Sequence, residues 1–491
     1  MSASLSATTL DLYPHSLLIS NGVEFGLVKT LVGRVLAVLA PRDFGILDTF
    51  EGERSEYEDQ NLLIGPLSPY NATALRTQIT WLRPQLLGLS TSVGMGDRLG
   101  IATPGHIRSM RVTQGKIAPI FAQQSIREMS RTDRSPQQVM DDATWGIFEE
   151  GWQHGIGADA DHLKTTADID ACLAAGYTFF TVDPSAYVDN LADSASLSQL
   201  REAVERLPAD IQPKATGLKD ISFNIDGLLL VFDEAILLKA IVKYGLAVAH
   251  VANMYEHLKQ VAKQRLFELE VSMDETEQPT SYLEHIYITS ELQRLGVKWV
   301  SFAPRYIGQF EKGVDYIGDI RAFEADIAVH AAIAQQFGPY KLSLHSGSDK
   351  FSIYPAMMRH TNGLVHLKTA GTSYLEALRT IAILDCSFFK EIYTFTREHY
   401  EYDRKSYHVS AELSRAPEPD TVKDWPGLLD QFDAREILHV TFGSVLTERT
   451  ADEKRRFYDY FMSLLDSNRE AYYVNLEKHF RRHLRPFLST E

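Results

Sequence analysis

Asp161 and His162 stand side by side at the end of Gly157-Ala158-Asp159-Ala160-Asp161-His162, a small, apolar, strand-like run that finishes in an acid and an imidazole. Such a pair can divide one metal-centred reaction, one group moving a proton and the other holding a cation. Similar chemistry recurs where other apolar runs end. Gln123-Gln124-Ser125 and Asp183-Pro184-Ser185 close two of them. Glu270, Ser272 and Asp274 recur at period two, followed by Glu275. Arg305 has Glu311 in the loop beyond it; His345 leads to Ser346-Gly347-Ser348-Asp349-Lys350, and His366 to Lys368 and Thr369. A lone histidine is more often a hydrogen-bonded structural residue than a ligand. Two histidines facing several acids form a set typical for Mn, Co, Ni, Zn or Fe. The spacing matches no zinc-finger or zincin pattern.

Glu270 lies inside the apolar run Phe267–Met273. A carboxylate there must point into a polar mouth or pay heavily for burial. A desolvated Glu has a raised pKa, which suits acid/base work. The alternative is an outward Glu270 paired with a lysine on a helix. The Gly-, Ser- and Thr-rich loops around Lys350 and Lys368 suit a phosphate or carboxylate, with Arg305 as a bidentate clamp; plain turn chemistry is the alternative. Gly94-Met95-Gly96-Asp97-Arg98-Leu99-Gly100 lacks the Walker Lys-Ser/Thr and the full dinucleotide spacing, and reads as a tight turn lining the pocket.

The elements that must position these groups are βα units. Candidate strands are Leu87–Val93, Ile117–Ala122, Ile156–Asp161, Thr178–Val182, Phe267–Met273, Lys298–Ala303, Lys341–His345 and Leu364–Lys368, with helical patterns between them. Ser135-Pro136 is an N-cap and N1 pair, and Gly176 ends the helix Thr166–Ala175. Ala235–Gln264, Tyr282–Leu295 and Asp319–Phe337 also read as helices. This order predicts an α/β fold, a (β/α)₈ TIM-like barrel over residues 85–384, with its active site at the C-terminal strand ends. The gap between Val182 and Phe267 predicts an insertion after the fourth strand, around Leu191–Leu229. Residues 1–84 form an N-terminal α/β extension with a strand near Arg34–Leu39. Residues 385–491 form a mostly helical region that covers the barrel or packs a subunit interface.

The formal charge of −16 disfavours nucleic acid and anionic membrane as partners. The two cysteines, Cys172 and Cys386, suggest a reducing compartment without a disulfide framework. No basic leader is evident, and no apolar run approaches ~18 residues, so a cytoplasmic protein is expected.

The motifs also carry a resemblance. Gly96–Gly100, Phe121–Ser125, Asp141–Gly146, Gly157–His162, His345–Phe351 and Lys368–Leu375 together resemble the tagaturonate epimerase family, whose members are also described as tagaturonate/fructuronate epimerases. The likeness runs from about Gly94 to near the C-terminus; the N-terminal portion matches poorly. The resemblance implies a metal-dependent, barrel-like isomerase acting on keto-hexuronates in hexuronate catabolism. It implies Asp161 and Glu270 as the acid/base pair, and His162 and His345 as ligands of a divalent cation (Mn, Ni, Co or Zn). The third ligand is expected from the sixth strand's loop, with Glu311 first and His366 as its rival. Arg305, Lys350 or Lys368 is expected to hold the substrate carboxylate.

The two keto-uronates differ at C4, numbered from the primary alcohol, with the ketone at C2. The C4 hydrogen is not α to the ketone, but the C4 hydroxyl is β to it, which is the arrangement for a retro-aldol. Rival readings are a metal-dependent ketose isomerase, an aldolase, or a non-catalytic sugar-acid binding protein. The expected partners are a small keto-uronate and, as an open alternative, a second copy of the chain.

Overall fold

The computed structural model describes residues 4–31 and 33–488. The chain starts with an antiparallel sheet of β1 (Leu18–Ser20), β2 (Val23–Thr30), β3 (Gly33–Pro41), β4 (Glu53–Tyr57) and β5 (Gln60–Gly65), in the order β1-β2-β3-β5-β4. A helix, Pro69–Gln78, follows, capped by the Ser68 hydroxyl on the Asn71 N–H. The sheet and helix dock on the barrel helix Pro136–Glu150 through Arg76–Asp141 at 2.8 Å and Arg34–Glu149 at 2.5 Å.

Eight parallel strands then close a barrel: β6 (Ser92–Met95), β7 (Ala118–Ser125), β8 (Gly157–Leu163), β9 (Phe179–Val182), β12 (Glu268–Ser272), β13 (Ser301–Ala303), β14 (Lys341–Leu344) and β15 (Val365–Thr369). Between β9 and β12 lies the insertion, containing the helix Leu197–Glu205 and a hairpin of β10 (Ser222–Ile225) and β11 (Leu228–Val231). Asp226 and Gly227, both at positive φ, form the two-residue turn that suits a hairpin's twist. The fold is a (β/α)₈ barrel with a helical C-terminal region.

Most expected strands lie within two or three residues of their observed bounds. The first differs because Leu87 and Gly88 turn instead of extending. Their N–H groups donate to the Glu268 carboxylate across the barrel floor, and β6 begins only at Ser92. The helix expected at Ala235–Gln264 is observed as Glu234–Ala262. It is long and apolar enough to cross a membrane, but 61% of its apolar stretch is buried, and it packs beside the helices Thr166–Ala175 and Tyr282–Arg294.

The barrel interior is unusually polar. Lys341 Nζ donates to Ser92 Oγ at 3.0 Å, Ser92 Oγ meets His366 Nδ1 at 2.9 Å, and His366 Nε2 lies 3.7 Å from Asp159. Burial lowers the Lys341 ammonium to about 8. The apolar core lies instead between strands and helices, and one buried cluster joins Phe25 of the sheet, Phe121 of the barrel and Phe480 of the C-terminal helices.

Candidate active site

In a regular strand, Asp161 and His162 would point to opposite faces. The structure brings both to the same mouth. The register of β8 against β9 slips between Ala160 and Leu163, and His162 takes a left-handed backbone, φ 53°. Non-glycine residues adopt that conformation uncommonly, histidine more readily than most. On β12 the ordinary alternation turns Glu270 and Ser272 to one face, and Asp274, two residues past the strand's end, reaches His345 at the mouth. His345 follows β14, and Lys368 comes from β15.

These side chains form one connected array. His162 Nδ1 meets Asp161 Oδ1 at 2.7 Å, and its Nε2 lies 3.6 Å from Asp274 Oδ1. His345 repeats the pattern, with Nε2 at 2.6 Å from Glu270 Oε1 and Nδ1 at 3.2 Å from Asp274 Oδ1. Each imidazole thus turns one nitrogen to its own carboxylate and the other to a shared one. Lys368 Nζ donates to Asp161 Oδ1 at 2.6 Å and lies 2.8 Å from Glu270 and 2.9 Å from Asp159.

Burial opposes charge on all these groups, but their neighbours outweigh it. Against burial, His162 and Lys368 hold Asp161 well below the usual carboxylate range. Lys368 and His345 do the same for Glu270, correcting the expectation of a raised value. His345 and His162 likewise lower Asp274. Against burial, Asp161 and Asp274 raise His162 well above its usual value, and Asp274 and Glu270 raise His345.

His162, Asp274 and His345 present ligand atoms that lie within 4.8 Å of one another. Two imidazoles and a carboxylate suit a first-row divalent metal. The set also has the outer support such sites use, since Asp161 and Glu270 bond the far nitrogens of the two imidazoles. Asp159, Asp161 and Glu270 surround the Lys368 ammonium, while Asp274 is shared by the two imidazoles.

The acidic group that lies with the two histidines is Asp274; neither Glu311 nor His366 joins that group. Glu311 Oε2 accepts from Ser410 N–H at 2.9 Å and Ser410 Oγ at 2.7 Å, and His366 lies within the barrel below the mouth. Lys350 does not face the mouth either. Fully buried, its Nζ donates to the carbonyls of Glu311, Val314 and Ser348 at 2.7, 2.5 and 3.1 Å, pinning the loop after β13. Arg305 does border the mouth but spends Nη1 on the carbonyls of Tyr306 and Gly308.

A cavity of about 680 Å³ opens above the array, lined by Asp161, His162, Asp274, His345 and Lys368 among others. Glu270 lies one layer below that lining, 0% exposed, behind His345 and Lys368. The far wall, from Ser406–Ser410 and His439, belongs to the C-terminal region, which therefore shapes the site as well as covering the barrel. Sequence reasoning also missed Lys312 and Arg127 on this lining. Only Asp274 had a signal, its period-two spacing from Glu270.

The loop after β14 is clamped from outside. Asp349 Oδ1 meets His479 Nε2 at 2.6 Å, its Oδ2 meets Arg435 Nη2 at 3.0 Å, and its N–H donates to His483 Nε2 at 2.9 Å. His479 and His483 lie on the helix Arg469–Leu484.

A family model of tagaturonate epimerases matches residues 13–487, so the N-terminal sheet shares in a likeness that by sequence began only near Gly94. The tagaturonate/fructuronate epimerase of Thermotoga maritima is 42% identical over 477 residues, covering 96% of each chain. The native crystal structure of the fructuronate-tagaturonate epimerase from Cohnella laeviribosi superposes with a TM-score of 0.92 at 38% identity, covering 98% of this chain and 97% of that one. A form of that protein with two glycerols bound gives the same TM-score at 37% identity. The chain belongs to the tagaturonate epimerase family and is an enzyme of the isomerase class.

Proposed function

We propose that this protein interconverts tagaturonate and fructuronate by inverting C4 through retro-aldol cleavage and re-addition, within hexuronate catabolism. The observation that carries this reading is Asp161. It is an ionised carboxylate on the cavity surface, 2.6 Å from the Lys368 ammonium and beside the His162–Asp274–His345 set. The names of the Thermotoga and Cohnella relatives support the substrate pair.

His162, Asp274 and His345 would hold a divalent cation, which when bound supplies Lewis-acid stabilisation of developing oxygen charge. Asp161 accepts the C4 hydroxyl proton. The C3–C4 bond breaks, its electron pair passes to the C2 ketone as an enediolate, and C4 becomes an aldehyde. Lys368, bonded to Asp161 as an ammonium, is the proton donor for the return step, and the proton held on Asp161 then restores it. After the aldehyde turns its other face, C3 re-attacks C4, and Lys368 returns the proton to the new C4 alkoxide. Glu270 holds Lys368 and His345 in place throughout.

Tagaturonate deuterated at C4 is expected to give fructuronate that retains its label, read by mass spectrometry. Wash-out into solvent would sink the bond-cleavage route. The absence of any C4 epimer would sink the assignment itself.

A further inference from the structure

The same cavity has a second pole of opposite sign. Lys312 Nζ borders it and donates one hydrogen bond, to Ser346 Oγ at 2.6 Å; among the described residues no carboxylate lies within ion-pair distance of that ammonium. His439 is 1% exposed and borders the cavity, with no side-chain hydrogen-bond partner and the Ala370 backbone beside its ring. Arg98 lies beside it, 4% exposed. Its Nε and Nη2 are held by Glu128 at 2.9 and 2.5 Å and its face lies on the Phe442 ring, while Nη1 is buried without a partner.

Arg98 and His439 converge on Gly371. A Cβ there would lie 2.1 Å from His439 Nε2 and 3.0 Å from Arg98 Nη2. Gly371 is the N-cap of the helix Thr372–Leu384, whose first turn lacks a side-chain cap and whose Thr372 Oγ1 is buried and unpartnered. A helix N-terminus favours negative charge, and unpartnered buried donors are costly unless a ligand completes them.

We propose that Lys312, Arg98 and His439 form the subsite for the substrate's terminal carboxylate. This rests on the keto-uronate reading and deepens it. A uronate's carboxylate is repelled by Asp161, Glu270 and Asp274, so the two poles admit the molecule in one direction, with its ketone and hydroxyls toward the acids. The subsite also separates uronates from neutral ketoses, because a neutral sugar leaves the Lys312 ammonium unpaired.

The test measures affinity independently of turnover. Galactonate, a hexonate without a ketone, and galactitol, its neutral counterpart, are titrated calorimetrically into wild-type protein, Lys312→Gln and Lys312→Arg. Wild type is expected to prefer galactonate. Lys312→Gln should weaken galactonate by about 10–100-fold, the size of a charge-assisted hydrogen bond, and Lys312→Arg should restore most of it. Equal affinity of wild type for the two probes, or an unchanged galactonate affinity in a folded Lys312→Gln, overturns the subsite. Turnover of tagaturonate by wild type, assayed in parallel, decides the function itself. With it, Lys312→Gln should raise KM far more than it lowers kcat, the pattern of lost uniform binding.

Discussion

Asp161→Asn is expected to lower kcat by about 10²–10⁴-fold, the usual worth of a positioned general base, even at saturating metal. Asparagine keeps an acceptor for His162 Nδ1, so the ring stays oriented, but it cannot take a proton. Glu270→Gln is expected to behave differently. That carboxylate lies beneath the cavity and touches His345 Nε2 and Lys368 at 2.6 and 2.8 Å. Its loss should weaken metal binding by about 10–100-fold, as for other residues that orient a ligand. Raising the metal concentration should then recover kcat to within about tenfold. The check is kcat against metal concentration, with metal content measured on the same samples. A Glu270→Gln enzyme that stays fully loaded yet as slow as Asp161→Asn would return Glu270 to the acid/base pair. Full turnover by Asp161→Asn would remove Asp161 from it.

Asp274→Ala is expected to purify without its divalent cation and to lose about 10³-fold or more in kcat, since Lewis-acid stabilisation is worth several kcal/mol. The variant leaves two imidazoles without the carboxylate they share at 3.2 and 3.6 Å. Chelation of wild-type enzyme should match this loss, and Mn, Co, Ni or Zn should restore wild type but not Asp274→Ala. Glu311→Gln is the matched control, because its carboxylate bonds Ser410 away from the histidines. Metal bound normally by Asp274→Ala and lost from Glu311→Gln would reverse the ligand assignment.

The barrel was legible because its strands are short apolar runs between capped helices, and Ser135 and Gly176 mark helix ends as their residue types demand. The first strand was misplaced because the turn at Leu87-Gly88 depends on a distant partner, Glu268, which takes those N–H groups. Asp161 and His162 were visible as neighbours. That they share a face was not, since the left-handed turn at His162 breaks the strand's alternation. Lys350 and Lys312 look alike in sequence, but one is spent on three backbone carbonyls and the other borders the cavity. The wall from Ser406–Ser410 and His439 depends on contacts far apart in the chain, which no local pattern reveals.

The clamp of Asp349 by His479 and His483 has a consequence for biosynthesis. The loop that carries His345 is made long before the helix that grips it, because ribosomes release the chain from its N-terminus. All eight barrel strands can leave the tunnel while Asp349 still lacks its partners on Arg469–Leu484. The loop that follows His345 is thus held by a helix made well after it, Arg469–Leu484.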